Sequence, residues 1–104
     1  MQEKLFPNAL KEAEVVGAEI FLRALASAEE KGTLYNATDF PQALSLSFRL
    51  IATTQAELVQ NGLGIAASVS RWANGKACPS QKTQRRVVSY LREKAGTLLQ
   101  ESPH

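Results

Sequence analysis

Residues 53–80, TTQAELVQNGLGIAASVSRWANGKACPS, constrain the fold more than any other part of the chain. Thr54, Glu57 and the apolar Leu58 fall in the register of a capping box, in which the threonine hydroxyl accepts from a backbone N–H three residues on and the glutamate reaches back. That predicts a short helix from Gln55 to about Gln60. Asn61-Gly62-Leu63-Gly64 must break it, because Asn and Gly tolerate the positive φ of a sharp turn. Residues 65–73, IAASVSRWA, resume helical character with Val69, Trp72 and Ala73 facing inward, and Asn74-Gly75 closes that second helix. The pattern is two short helices joined by a glycine-containing turn, which can cross at a steep angle.

The flanking segments also read as helices. Residues 8–31 form one long helix, with Pro7 near its start and Gly32 as its stop. Leu10, Ala13, Gly17, Ile20, Phe21, Ala24 and Ala28 recur at helical spacing, and Val15, Val16, Leu22 and Leu25 widen the apolar face. Residues 32–39 are turn formers, with Asp39 and Gln42 spaced as a further capping box for a helix from Phe40 to about Ala52. In that helix Phe40, Leu44, Phe48 and Ile51 share a face, flanked by Leu46 and Leu50. Cys78-Pro79-Ser80 is extended. Ser80 caps a final helix over residues 81–96 that buries Val87, Val88, Leu91 and Ala95, together with Leu98 beyond its expected end. No strand pattern survives, so the expected fold is all-α with about five helices. Its expected organisation is an N-terminal helical extension over residues 1–36, a main unit over 37–96 and a fraying tail over 97–104.

Composition bounds the rest. With 104 residues, 44% hydrophobic and 21% charged, the chain suits one modest core. No run approaches the ~20 apolar residues of a membrane span, and MQEKLFPN lacks a secretory pattern, so a cytoplasmic protein without membrane partners is expected. One cysteine, Cys78, and one histidine, His104, provide neither an internal disulfide nor a metal or Cys/His catalytic set, and no cofactor is implied. No nucleophile and base stand at credible spacing and no glycine-rich phosphate loop occurs, which argues against an enzyme. Charge is asymmetric. Residues 1–64 carry five basic and eight acidic side chains, whereas residues 65–104 carry seven basic and two acidic. A one-sided basic surface suits an anionic partner.

A helix pair of this kind can place its first helix over a phosphate backbone and its second in the major groove. Leu58, Val59, Val69 and Trp72 are the residues to lock the pair together. Ala66, Ala67, Ser68, Ser70 and Arg71 are available to line the groove. Gln55, Asn74, Lys76 and the basic start of the last helix, Lys82, Arg85 and Arg86, are available to the phosphates. Those last three cations lie where the helix dipole disfavours positive charge, and their own helix has no carboxylate before Glu93, which hints at an external anion.

TQAELVQ…SVSRWANGKACPS resembles the phage repressor and Cro type helix-turn-helix, often called the xenobiotic-response-element family. The resemblance covers roughly residues 41–91 and is most specific at Ser70-Arg71-Trp72-Ala73-Asn74-Gly75-Lys76 followed by Pro79-Ser80. It implies a repressor-like bundle of about five helices here preceded by the long N-terminal helix. It further implies that Gln55 contacts the DNA backbone, that Ala66, Ala67 and Ser70 face base edges, and that Arg71 and Asn74 lie beside phosphates. Two positions depart from the family pattern. Val59 replaces the usual small alanine, and Leu63 occupies the turn-glycine position with glycines displaced to Gly62 and Gly64, so either the turn is reshaped or the register slips by a residue.

The expected function is a sequence-specific double-stranded DNA-binding transcriptional regulator, a repressor acting as a homodimer. The alternative is a protein-interaction module of the same fold, an antitoxin-like protein whose N-terminal helix binds a partner.

Overall fold

The computed structural model describes the backbone over residues 2–31 and 39–100, with side chains described over 13–31 and 40–100. The described residues form five helices and no strand: α1 (Gln2–Lys31), α2 (Asp39–Leu50), α3 (Gln55–Gln60), α4 (Ala66–Ala73) and α5 (Gln81–Gln100). Apolar residues from all five enter one core. Of the connection expected over residues 32–39, including the Gly32 stop, positions 32–38 lie outside the described residues, and Asp39 is the first residue of α2, its side chain not among those described.

The long helix α1 begins six residues earlier than its spacing predicts and carries Pro7 inside it, where the missing N–H removes one helical bond. At 1.5 Å per residue its 30 residues span about 45 Å, close to the 48 Å long axis of the molecule. Its inward face is Ala18, Phe21 and Leu25, each at most 3% exposed. Ile20 and Val16, part of the wide apolar face that the spacing outlines, are 48% and 54% exposed, and Ala13 is exposed beside them. The apolar arc of α1 is wider than one chain can cover, and the packed face settles on the side of Ala18.

Gly17 explains why α1 approaches its neighbours so closely. A β-carbon there would stand inside van der Waals contact with the Leu50 carbonyl oxygen and 3.1 Å from the Leu50 carbonyl carbon. The backbone of α1 therefore rests directly on the C-terminal end of α2.

α2 buries Phe40, Ala43, Leu44 and Ser47, with Ile51 just after it; Phe48 is only half-buried, packed against the edge of the core. The Ser47 hydroxyl is fully buried and satisfied, donating to the Leu44 carbonyl at 2.6 Å. The helix stops at Leu50 rather than Ala52 because Ala52 adopts a φ of 55°, and the chain turns back so that the Thr53 N–H reaches the Ser47 carbonyl at 3.1 Å. Left-handed backbone costs a non-glycine residue about 1–2 kcal/mol.

α5 starts on Ser80, whose Oγ accepts from the Thr83 N–H at 3.4 Å while its carbonyl accepts from the Gln84 N–H at 2.9 Å. It runs to Gln100, four residues beyond the expected end at Gly96. Leu98 and Leu99 pack partly buried against the core and hold the last turn in place. α5 packs along α1, and Arg92 of α5 meets Glu29 of α1 at 2.5 Å on the surface.

Candidate nucleic-acid interface

The segment from α3 to the start of α5 is built by four local devices. The first is the cap: Thr54 is extended at φ −124°, and its Oγ1 accepts from the Glu57 N–H at 3.1 Å. Only half of the expected capping box forms. The Glu57 carboxylate, instead of reaching back to Thr54, turns to α5, where it accepts from the Tyr90 hydroxyl and from Lys94 Nζ at 2.8 Å. Two donors fixed on another helix outcompete one local backbone N–H.

The second device is the turn. Gly62 has φ +71°, its N–H donates to the Val59 carbonyl at 3.0 Å, and the Leu63 N–H donates to the Leu58 carbonyl at 3.1 Å. These paired bonds close a helix end onto a left-handed residue, and the buried pair Leu58 and Leu63 supplies the apolar contact that accompanies them. The two displaced glycines thus have separate duties. Gly62 provides the positive φ, whereas a β-carbon at Gly64 would meet the Trp72 ring at 2.7 Å. Leu63 lies between them as a core residue.

Third, α4 packs through Val69 and Trp72, both buried, with Trp72 meeting Phe40 of α2 edge-on at a centroid distance of 6.4 Å. Trp72 is a core residue, as its spacing predicts. The far end of α4 closes as α3 does: Gly75 has φ +71°, its N–H reaches the Trp72 carbonyl at 3.1 Å, and the Lys76 N–H reaches the Arg71 carbonyl at 2.9 Å.

Fourth, Gln84, only 4% exposed, fixes the link into α5 by donating from Nε2 to the Pro79 carbonyl at 2.8 Å and to Cys78 Sγ at 3.1 Å. Burial raises the Cys78 thiol above its ordinary pKa, which makes it a poor nucleophile.

With α4 held by Val69 and Trp72, its opposite side carries Ala66, Ala67, Ser70, Arg71 and Asn74. Ala66, Ala67, Arg71 and Asn74 are exposed and Ser70 is half-buried. Ser68, expected among the groove-facing residues, is half-buried; it precedes Val69 by one residue and Trp72 by four, which places it on the flank of the packed side. Gln55, Lys76, Lys82, Arg85 and Arg86 are all exposed. Among the described residues, Arg71, Lys76, Lys82 and Arg86 make no ion pair or side-chain hydrogen bond.

The electrostatic setting is one-sided. Residues 58–92 contain six basic side chains and no acidic one. Of the nearby carboxylates, Glu57 is engaged by Tyr90 and Lys94. Its burial raises its pKa, but the Lys94 hydrogen bond and charge and the Tyr90 bond together hold it below the ordinary carboxylate value. Tyr90 is pushed up to about 12, by burial first and then by the Glu57 carboxylate. Asn61 adds to this cluster, donating from Nδ2 to the Glu57 carbonyl at 2.8 Å and to the Tyr90 hydroxyl at 3.4 Å. The cluster fastens both ends of α3 to α5.

One residue of this surface escaped the sequence reading. Ile65 is the N-cap of α4, makes no side-chain cap, and is 69% exposed. Its sequence reading places it inside a helix over residues 65–73, whereas the helix begins one residue later, at Ala66. Among the described residues no group of histidine, cysteine and carboxylate side chains is placed to hold a metal ion, and no helix is long and apolar enough to cross a membrane.

No family model matches the chain, and comparisons with curated proteins and with solved structures also give no match.

Proposed function

We propose that this protein is a sequence-specific double-stranded DNA-binding transcriptional regulator, a repressor that places α4 in the major groove. The observation that carries the reading is the outer side of α4. It carries small and polar residues together with Arg71, and Lys76, Lys82 and Arg86 follow it in sequence as exposed cations that no carboxylate of the described chain neutralises. Small side chains allow a helix to sit deep in a groove about 12 Å wide, and exposed cations without internal partners suit phosphates. In this arrangement Arg71 and Asn74, at the C-terminal end of α4, approach the backbone, Ser70 offers a hydroxyl to base edges, and Gln55 at the start of α3 meets the phosphates of the adjoining strand.

The protein acts as a homodimer on this reading, because the outer side of α4 offers few hydrogen-bonding readers and a second copy doubles them. The exposed stripe Ala13, Val16 and Ile20 on α1 is the apolar surface available for that contact. A second reading draws on the same stripe, as the seat of a different protein on a module whose α4 reads nothing.

Selection from a random duplex library, with Arg71→Ala in parallel, tests the proposal. Enrichment of a two-fold symmetric motif that the substitution weakens is the expected result. A folded protein that enriches no motif refutes DNA reading and favours the protein-partner alternative.

A further inference from the structure

Ile65 breaks two local rules at once. As an N-cap, isoleucine ranks among the poorest choices, since it offers no oxygen to the free N–H groups of the first helical turn, and here it makes no cap bond. It is also the most exposed of the large hydrophobic side chains described, at 69%. A residue that weakens its own helix and faces solvent gains nothing inside the folded chain, and such local conflicts mark functional positions.

The backbone before it is constrained at two points. Gly62 closes the preceding helix by its left-handed backbone, and Gly64 lies against the Trp72 ring, so the residue between the turn and α4 has little freedom to fold inward. Ile65 is followed by Ala66 and Ala67, both exposed, so α4 begins with an apolar tip. That tip stands in the acid-free, cation-bearing stretch 58–92. A partner must therefore be anionic overall and apolar at the point of contact. Duplex DNA meets both conditions in its major groove, where the thymine C5-methyl is the apolar group among hydrogen-bonding edges.

We infer that Ile65, with Ala66 and Ala67, forms a methyl-reading tip that selects thymine, or another 5-methylated pyrimidine, at the start of each half-site. The inference rests on the DNA-reading function proposed above and names a specificity-determining residue within it. Ile65 supplies methyl-to-methyl contact and donates no hydrogen bond, so it discriminates thymine from uracil and 5-methylcytosine from cytosine, bases that differ only by that methyl.

The test compares selection from two random duplex pools, one containing thymine and one with uracil in its place, for the full chain and for Ile65→Ser and Ile65→Val. The wild type is expected to enrich a thymine-containing motif and to bind its uracil counterpart about four-fold more weakly per contacted methyl, the equivalent of about 0.8 kcal/mol for one such group. Ile65→Val, which keeps a branched apolar tip, retains the preference. Ile65→Ser loses it while its melting temperature rises, because serine caps the helix; loss of specificity with gain of stability excludes unfolding as the cause. Enrichment of one motif with equal affinity from both pools, or an Ile65→Ser variant that still prefers thymine, overturns methyl reading and leaves DNA reading standing. Failure of any duplex to be retained at about 50 mM salt overturns both.

Discussion

Replacing Gly17 by alanine sets two well-measured effects against each other. Alanine in a helix interior is favoured over glycine by about 0.8–1.0 kcal/mol, which alone would stabilise α1. The added β-carbon, however, would press on the Leu50 carbonyl group, with the carbonyl carbon only 3.1 Å away. Backbone at the end of α2 cannot swing aside as a flexible side chain does, and overpacking typically costs about 1–3 kcal/mol. The clash should cancel the propensity gain or exceed it, giving a net loss of up to about 2 kcal/mol and a melting temperature up to about 15 °C lower for a domain of this size. Gly96→Ala in α5 is the matched control, since nothing lies within 4 Å of its added β-carbon. It should show the propensity term alone, a gain of about 0.5–1 kcal/mol. Urea and thermal denaturation followed by helical circular dichroism measure both. A Gly17→Ala protein as stable as Gly96→Ala would refute the close crossing of α1 over α2.

Four further outcomes follow from particular residues. The lowered pKa of Glu57 means that its contribution to stability is present above the unfolded carboxylate value and disappears as pH falls through the lower folded value; Glu57→Gln should remove that acid dependence and cost about 1–2 kcal/mol at neutral pH. Tyr90, raised to about 12, works in the opposite sense: its contribution is complete below the ordinary value of 10.0 and is lost as pH rises between the two, so Tyr90→Phe should flatten alkaline unfolding, and ultraviolet titration should show one late-ionising tyrosine. Ala52→Gly should relieve the φ of 55° and raise stability by about 0.5–1 kcal/mol, read by urea midpoint. Lys82→Glu with Arg86→Glu should weaken duplex binding and reduce the slope of log affinity against log salt by about two, and an unchanged slope would remove both residues from the phosphate contacts.

The helices were legible from apolar spacing and from signals that act locally. Thr54, Ser80, Gly62 and Gly75 each act through bonds to residues within a few positions, so their roles could be read along the chain. What escaped was decided at a distance. The exposure of Ile20 and burial of Ala18 depend on how α1 meets α2 and α5, which periodicity on one helix does not specify. Glu57 read as half of a capping box because its competing partners, Tyr90 and Lys94, lie more than thirty residues away. The cationic surface was visible as composition. Which of its cations lack internal partners depends on the tertiary pairing: Arg92 pairs with Glu29 and Lys94 with Glu57, while among the described residues Arg71, Lys76, Lys82 and Arg86 make no ion pair.

The left-handed residues Gly62 and Gly75 set a limit on information. Between them α4 has eight residues, about 12 Å of helix. On the DNA-reading proposal, that length faces about four base pairs at 3.4 Å each, so one copy distinguishes roughly one site in 256. A genome presents on the order of a million or more competing sites. Lengthening α4 would mean undoing its own closure at Gly75 or the closure of α3 at Gly62, so greater selectivity has to come from a second copy and from the deformability of the base pairs between the two half-sites.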